Sequence, residues 1–412
     1  MDRREFSTLL ASLPLLSFAK WSKASNTPSP LRGYIRTNWS QDPFSYGAYS
    51  YLAKGSGNAD REKLLEPINN RVFFAGEALN PNYQSSVHAA YESGLSASEL
   101  IQQTKSRRIA IIGAGISGIG AAKQLADKGY DVTIFEGRDR IGGRIQTDRS
   151  LGVALDVGAS WIHSPDGNPI SELADQVNLK RIETDDTQVM RGNDGRSMWQ
   201  FFAPSWIKDV IEQTPTGTEL NKLNMKETVT QFLKYGYGYE GRDVKLPNGY
   251  DEIFKVLQGD YQIKLSAIVT KIAYNQSGVN ISTVTETSQQ FDAVIVTVPL
   301  GVLKRKTINF EPELPQSKLD AIARMGMGTL DKLYLKFEES FWDKDVTGIF
   351  TPETGLPRGQ FNYWINFEEY LNEPIIMGFN AGEAALNLSK KSDDFIIKSA
   401  LNTLSSAYPV NS

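Results

Sequence analysis

Three hydrophobic patterns alternate along the chain, and each predicts its own kind of element. Continuous apolar runs, in RVFFAGE at 71–77 and at Ile109 to Ile112, predict strands buried on both faces, as in a parallel sheet covered by helices. Between them, VHAAYESGLSASELIQQ carries small residues on one face and predicts a helix packed closely against a sheet. The stretch 107–139, RRIAIIGAGISGIGAAKQLADKGYDVTIFEGRD, reads as strand, glycine turn, helix, strand. Helical periodicity returns near 168–178, 204–213 and 226–235. Residues 261–299 predict several strands, two with the alternation of an antiparallel ribbon. KLYLKFEES and PIIMGFNAG are strands separated by long aromatic loops, and no tandem repeat is present. Nearer the start, SNTPSPLR at 25–32 reads as a linker, YIRTNW as a short extended piece and SQDPFSYGAYSYLAKG as loop.

Composition narrows the chemistry. With 412 residues the chain can bury a large core, in roughly two or three domains. There is no cysteine, which excludes disulfides, thiolate metal sites and sulfur-linked cofactors. The only histidines, His88 and His163, leave little for a zinc or haem site, so no metal is expected. A formal charge of −4 offers no basic surface for nucleic acid, and no internal apolar run is long enough for a membrane span. Residues 1–24 differ from the rest: Arg3 and Arg4, then an apolar run, then small residues near Ala24. That form predicts a twin-arginine signal, hence a partner in the export machinery and a periplasmic or secreted protein.

The glycine turn carries the first specific chemistry. Gly113, Gly115 and Gly118 form GxGxxG between strand and helix. The first allows the tight turn, the second lets backbone approach a pyrophosphate, and the third lets helix and strand pack. The helix N-terminus then meets the phosphate charge. Glu136 ends the following strand, where a carboxylate accepts hydrogen bonds from an adenosine ribose and repels a 2′-phosphate. In RDRIGGRIQT, Gly142 and Gly143 bring a second backbone segment near the ligand, and Arg138 or Arg144 can neutralise pyrophosphate. LDVGASWIH adds Gly158, Ala159 and Ser160, a small-residue passage suited to a flat ring.

IAIIGAGISG, FEGRDRIGGRI, DVGASWIH, AVIVTVPLGVLK, RVFFAGEA and VHAAYESG together resemble the flavin-containing amine oxidase family, within it the polyamine oxidases and their histone-demethylase-like relatives. The likeness covers about 380 of the 412 residues. It implies an α/β fold: a GR2-type, Rossmann-like FAD-binding domain plus an α+β substrate domain on a large mixed sheet. In the family the GxGxxG strand is near the N-terminus and the FFAGE segment near the C-terminus, after a W–DP–GSYS segment. Here NWSQDPFSYGAYS (38–50) and RVFFAGE come first, and the chain stops at ALNTLSSAYPVNS. That order implies a circular permutation joined at 103–108, with helix 87–102 as a right-handed crossover. The expected division is linker and substrate-domain segment 25–57, FAD-binding 58–164, substrate 165–240, FAD-binding 241–301 and substrate 302–412.

The resemblance also implies a site. FAD would be held non-covalently and would take hydride at N5 from the α-carbon of a polyamine such as spermidine or spermine. The imine product hydrolyses to aldehyde and amine, and O2 or another acceptor takes the electrons. Lys332 matches the lysine facing flavin N5 through a water, although its position alone fits a solvated strand edge equally well. His163 matches a cavity residue that meets a substrate amine, and Tyr49 one wall of an aromatic substrate sandwich. Ser86 stands where some relatives have the opposite aromatic wall, which widens the cavity. Glu77 matches a carboxylate near the ribityl–pyrophosphate region, with Gly76, Val87, Val269 and Pro299 in the remaining cofactor motifs. Trp364, and also Trp342, are candidates to line the cavity or to fill core. Monoamine or L-amino-acid oxidation on the same fold, and a non-catalytic flavoprotein, remain as alternatives.

Overall fold

A computed structural model describes residues 29–83, 85–185, 187–192, 195–197, 215–235, 238–286, 288–351 and 359–409. The signal expected at 1–24 and the helix expected over 204–213 lie outside the described residues.

Alternation inside the apolar runs sets the layers. Val72 and Phe74 join one hydrophobic core and Phe73 another; Ala110 and Ile112 likewise part from Ile109 and Ile111. Strands apolar on both sides must be covered on both faces. They stand in one five-stranded parallel sheet, in the order Gln262–Lys264, Asp131–Phe135, Arg108–Ile112, Ala293–Val296, Val72–Phe74. Helices Val87–Gln102 and Ile116–Ala126 contribute to the core on one face. The sheet Gln289–Phe291, Gly278–Thr283, Val269–Asn275, Asn309–Glu311 supplies the other.

Helix Val87–Gln102 begins where the Ser86 hydroxyl accepts the Ala89 N–H at 3.2 Å. It links Val72–Phe74 to Arg108–Ile112, two strands of the same parallel sheet with Ala293–Val296 between them. Its small residues do more than meet the sheet. A Cβ on Gly94 would lie 2.1 Å from the Ser117 carbonyl oxygen, so the tightest approach is to helix Ile116–Ala126.

The second large sheet runs Leu31–Arg36, Leu330–Phe337, Ile375–Ala381, Tyr363–Asn366, Gly348–Phe350, Gln188–Met190. All neighbours are antiparallel except the last pair. Two expectations change here. The linker read over 25–32 already contains the first strand residues, because Leu31 pairs with Phe337. The aromatic stretch between the two long strands holds two further strands, too short for periodicity to show, whose Phe350 and Tyr363 rings stack at 4.7 Å. Helix Asp393–Ala407, capped by the Ser392 hydroxyl, shares the core on one side of this sheet.

Candidate active site

The carboxyl ends of the parallel strands open into a cavity of about 520 Å³, which also reaches the six-stranded sheet. Its lining runs from Glu136 and Arg138 to Trp161, His163 and Lys332. That volume lies within the range of cofactor and ligand sites.

The glycine turn forms one end. Gly113 takes φ +110°, and Gly115 caps helix Ile116–Ala126 with no side chain bonded to its first turn. A Cβ added to Gly115 would meet nothing within 4 Å, because it faces the cavity. Beside these amides the Ser117 hydroxyl is buried without a hydrogen-bond partner among the described residues. Unpaired donors at a helix N-terminus, in a cradle kept clear of side chains, fit a dinucleotide pyrophosphate. Gly118 stands apart from the cavity lining, and its Cβ would sit 2.0 Å from the Gly113 carbonyl oxygen, the close helix–strand packing expected of the third glycine. Its role is packing alone.

Glu136 is buried, its two oxygens accepting the Ala114 and Arg138 amides at 2.7 and 2.8 Å. Gly143, Gly158, Ala159, Ser160, Val269, Pro299, Gly76 and Val87 all line the cavity. Gly158 is where two segments cross, for a Cβ there would lie 1.8 Å from the Arg144 carbonyl oxygen. Arg138 and Arg144 line the cavity too, and each has a carboxylate partner. Arg138 grips Asp42 through two bonds of 2.7 Å, and Arg144 pairs with Glu77 at 2.8 Å. Burial alone would raise the Glu77 pKa, but the Arg144 charge and the Ser50 and Arg144 hydrogen bonds outweigh it and hold it low. With both guanidiniums paired, the helix N-terminus remains as an attractive partner for an anion at that end. Lys271, two residues after Val269, pairs with Glu311.

At the other end Lys332 is buried, not a solvated edge residue. Its Nζ donates to the Asp156 carbonyl at 2.8 Å, the Gly158 carbonyl at 2.5 Å and the Ser160 hydroxyl. Burial lowers its pKa to about 7 against the pull of Asp156, whose own carboxyl burial raises to about 6. An amine poised near neutrality inside a cleft has the form of a functional group. His163 lines the cavity with Nδ1 2.6 Å from an Asp243 oxygen, and Asp243 also accepts the Ser164 amide at 3.1 Å. Tyr49 and Ser86 line it too; Ser86 is in addition 3.0 Å from His88 Nε2.

Trp364 is a correction. It is fully buried in the core beside helix Asp393–Ala407, its indole N–H shared by the Phe361 carbonyl at 2.9 Å and the Thr351 hydroxyl at 3.0 Å. The register explains it: Tyr363 and Phe379 stand in the same cross-strand row as Lys332, and Trp364 is one residue out of phase. Trp342 is core as well. Among the described residues, the tryptophans that line the cavity are Trp39 and Trp161, inside the NWSQDP and DVGASWIH segments. Sequence reasoning missed both, together with Asp42 and Asp243; Trp39, Asp42 and Trp161 stand inside the quoted motifs, which was the available signal, whereas Asp243 had none. Among the described residues no cluster of three His, Asp or Glu residues is placed to hold a metal ion. No helix there is long and apolar enough to cross a membrane.

A sequence model described as flavin containing amine oxidoreductase matches residues 6–102, 116–190 and 180–412. The chain is 29% identical over 372 residues to probable polyamine oxidase 4 of Arabidopsis thaliana, covering 76% of this chain and 74% of that one. It is 30% identical over 361 residues to polyamine oxidase 4 of Oryza sativa subsp. japonica, covering 73% of each. It is also 28% identical over 355 residues to lysine-specific histone demethylase 2 of Homo sapiens, covering 72% of this chain and 43% of that one. In fold it is similar to a putrescine oxidase redesigned in its cofactor binding, with TM-score 0.53 and 20% identity over 73% of this chain and 81% of the other.

Proposed function

Since the chain belongs to the flavin-containing amine oxidoreductase family, we propose that it oxidises polyamines of the spermidine and spermine kind with non-covalently held FAD. The observation that carries this reading is the single cavity joining the uncapped helix end to the buried Lys332 amine. FAD bound there supplies the acceptor for a hydride from the carbon beside the amine nitrogen. Gly115 and the Ser117 hydroxyl would hold its pyrophosphate, and Glu136 its adenosine ribose. Absence of cysteine supports attachment without a sulfur bond.

The remaining work falls to residues of this chain. Lys332 holds a proton on Nζ among three acceptors, close enough to neutrality to release it. Asp243 fixes one imidazole nitrogen of His163, so the ring presents a set orientation to an incoming amine. Tyr49, Trp39 and Trp161 line the cavity, and aromatic rings attract a cationic alkyl chain. L-Amino-acid oxidation is less well supported: a substrate carboxylate needs an uncommitted cation, and the cavity's Arg138 and Arg144 are already paired with Asp42 and Glu77.

We read the parallel-sheet segment as the GR2-type FAD-binding fold in circularly permuted order. Its support is the placement of Val72–Phe74 before, and Arg108–Ile112 after, one crossover helix. The test of function is kcat/KM across spermidine, spermine, tryptamine and L-tryptophan. A preference for the polyamines is expected, and a preference for L-tryptophan would overturn the substrate assignment.

A further inference from the structure

Lys245 is a buried lysine that the reaction above does not use. It lies in the short strand Val244–Lys245, and its Nζ has no hydrogen-bond partner among the described residues. What surrounds it is aromatic. The nitrogen is 3.9 Å from the centroid of Tyr370, 4.2 Å from Phe367 and 4.9 Å from Trp161. Three ring faces around one amine form the arrangement by which proteins recognise organic ammonium ions. The cage is itself braced: the Tyr370 hydroxyl is 3.0 Å from Thr347 Oγ1, and the Phe367 ring meets Tyr334 edge-on at 5.4 Å.

Trp161 is the shared element. It lines the large cavity, and the Lys332 Nζ lies 5.6 Å from the same ring. A second cavity of about 20 Å³, lined by Lys245, Phe367, Tyr370, Asp156 and Ser160, adjoins the cage, and Ser160 also lines the large cavity. Burial and the Lys332 charge push the Lys245 pKa well down, with Glu369 and Asp156 pulling the other way. The rings oppose the downward shift too, because they stabilise only the charged form.

We propose that Trp161, Phe367 and Tyr370 form a cage for an alkylammonium ion, that Lys245 is its built-in occupant, and that this occupant positions Trp161 as a wall of the large cavity. Lys245 is thus a positioning residue: it touches no substrate and acts through the indole.

Truncation offers a direct test. Lys245→Ala vacates Cγ, Cδ, Cε and Nζ, the skeleton of n-propylamine, while Lys245→Met fills the space without a charge. In thermal unfolding of the holoenzyme, n-propylammonium should raise the midpoint of Lys245→Ala, 1-propanol should do so far less, and neither should act on the parent through this site. Both variants should show KM for spermidine raised several-fold, with kcat within about twofold of the parent. Equal stabilisation by 1-propanol, or parent-like KM and midpoint in Lys245→Met, would reduce Lys245 to packing. If Lys245→Ala does not fold, the Lys245→Met comparison decides alone. The KM arm rests on the polyamine reading; the thermal arm involves no turnover and survives that reading's failure.

Discussion

Replacing Lys332 with methionine keeps side-chain length and removes the nitrogen, and the structure fixes what should follow. In the folded chain burial brings the Lys332 pKa from 10.5 to about 7. The unfolded chain keeps its proton up to the ordinary value, so between those two pH values it binds more protons than the folded chain. Stability contributed by this group therefore rises with pH across that window, by about 1.4 kcal/mol per pH unit. Below it both states are protonated and the burial cost is fully present. The whole span amounts to roughly 4–5 kcal/mol at most, reduced because Asp156 titrates with it. Methionine orphans no carbonyl: Asp156 O still receives the Tyr334 hydroxyl at 2.8 Å and the Ser160 hydroxyl at 2.9 Å, and Gly158 O the latter at 3.3 Å. Lys332→Met should thus match or exceed the parent's stability at pH 6 and lose that advantage by pH 10. Urea unfolding of both proteins at pH 6, 8 and 10 measures the difference, and parallel pH profiles would refute the buried-lysine electrostatics. The variant should retain flavin yet lose on the order of 2–4 kcal/mol of transition-state stabilisation, roughly 30- to 1000-fold, in flavin reduction or reoxidation. Stopped-flow rates within about twofold of the parent in both half-reactions would end the functional assignment of Lys332.

Two glycine substitutions separate cradle from packing. Gly115→Ala, whose Cβ meets nothing, should fold with near-parent apoprotein stability but lose flavin on gel filtration; Gly118→Ala, 2.0 Å from a carbonyl oxygen, should lower the thermal midpoint itself. Trp364→Ala should cost about 3–5 kcal/mol of stability by chemical denaturation, whereas milder Trp364→Phe should leave KM for amines unchanged, as its core position requires. Asp243→Asn should loosen His163 and raise KM several-fold in steady-state assays with flavin content unaltered.

The parallel sheet was legible because its strands are continuous apolar runs next to a glycine turn, a pattern with few other uses. Helix Val87–Gln102 was read with its observed limits, since its small-residue spacing is a local signal. The strands Gly348–Phe350 and Tyr363–Asn366 were not, because three or four residues carry no measurable period. Trp364 was misplaced for a related reason: a one-residue phase decides which face a strand residue takes, and partner strands set that phase. The pairing of Arg138 with Asp42 joins positions 96 residues apart, and Lys332 meets Asp156 across 176. No spacing rule reaches so far. Asp243 opposite His163 arises in the same way, from the bridge between Ile162 and Val244.

FAD held non-covalently between Gly115 and Lys332, for oxidation of a polyamine, is the proposed working state of the cavity. Its most direct test is the absorption spectrum of the purified protein before and after anaerobic addition of spermidine, followed by acid precipitation. Oxidised flavin bands that bleach with the amine, and a yellow supernatant after reoxidation and acid, are the predicted result. A protein purified without flavin and unable to take up FAD, bands that no polyamine bleaches, or a chromophore that stays in the pellet would contradict it.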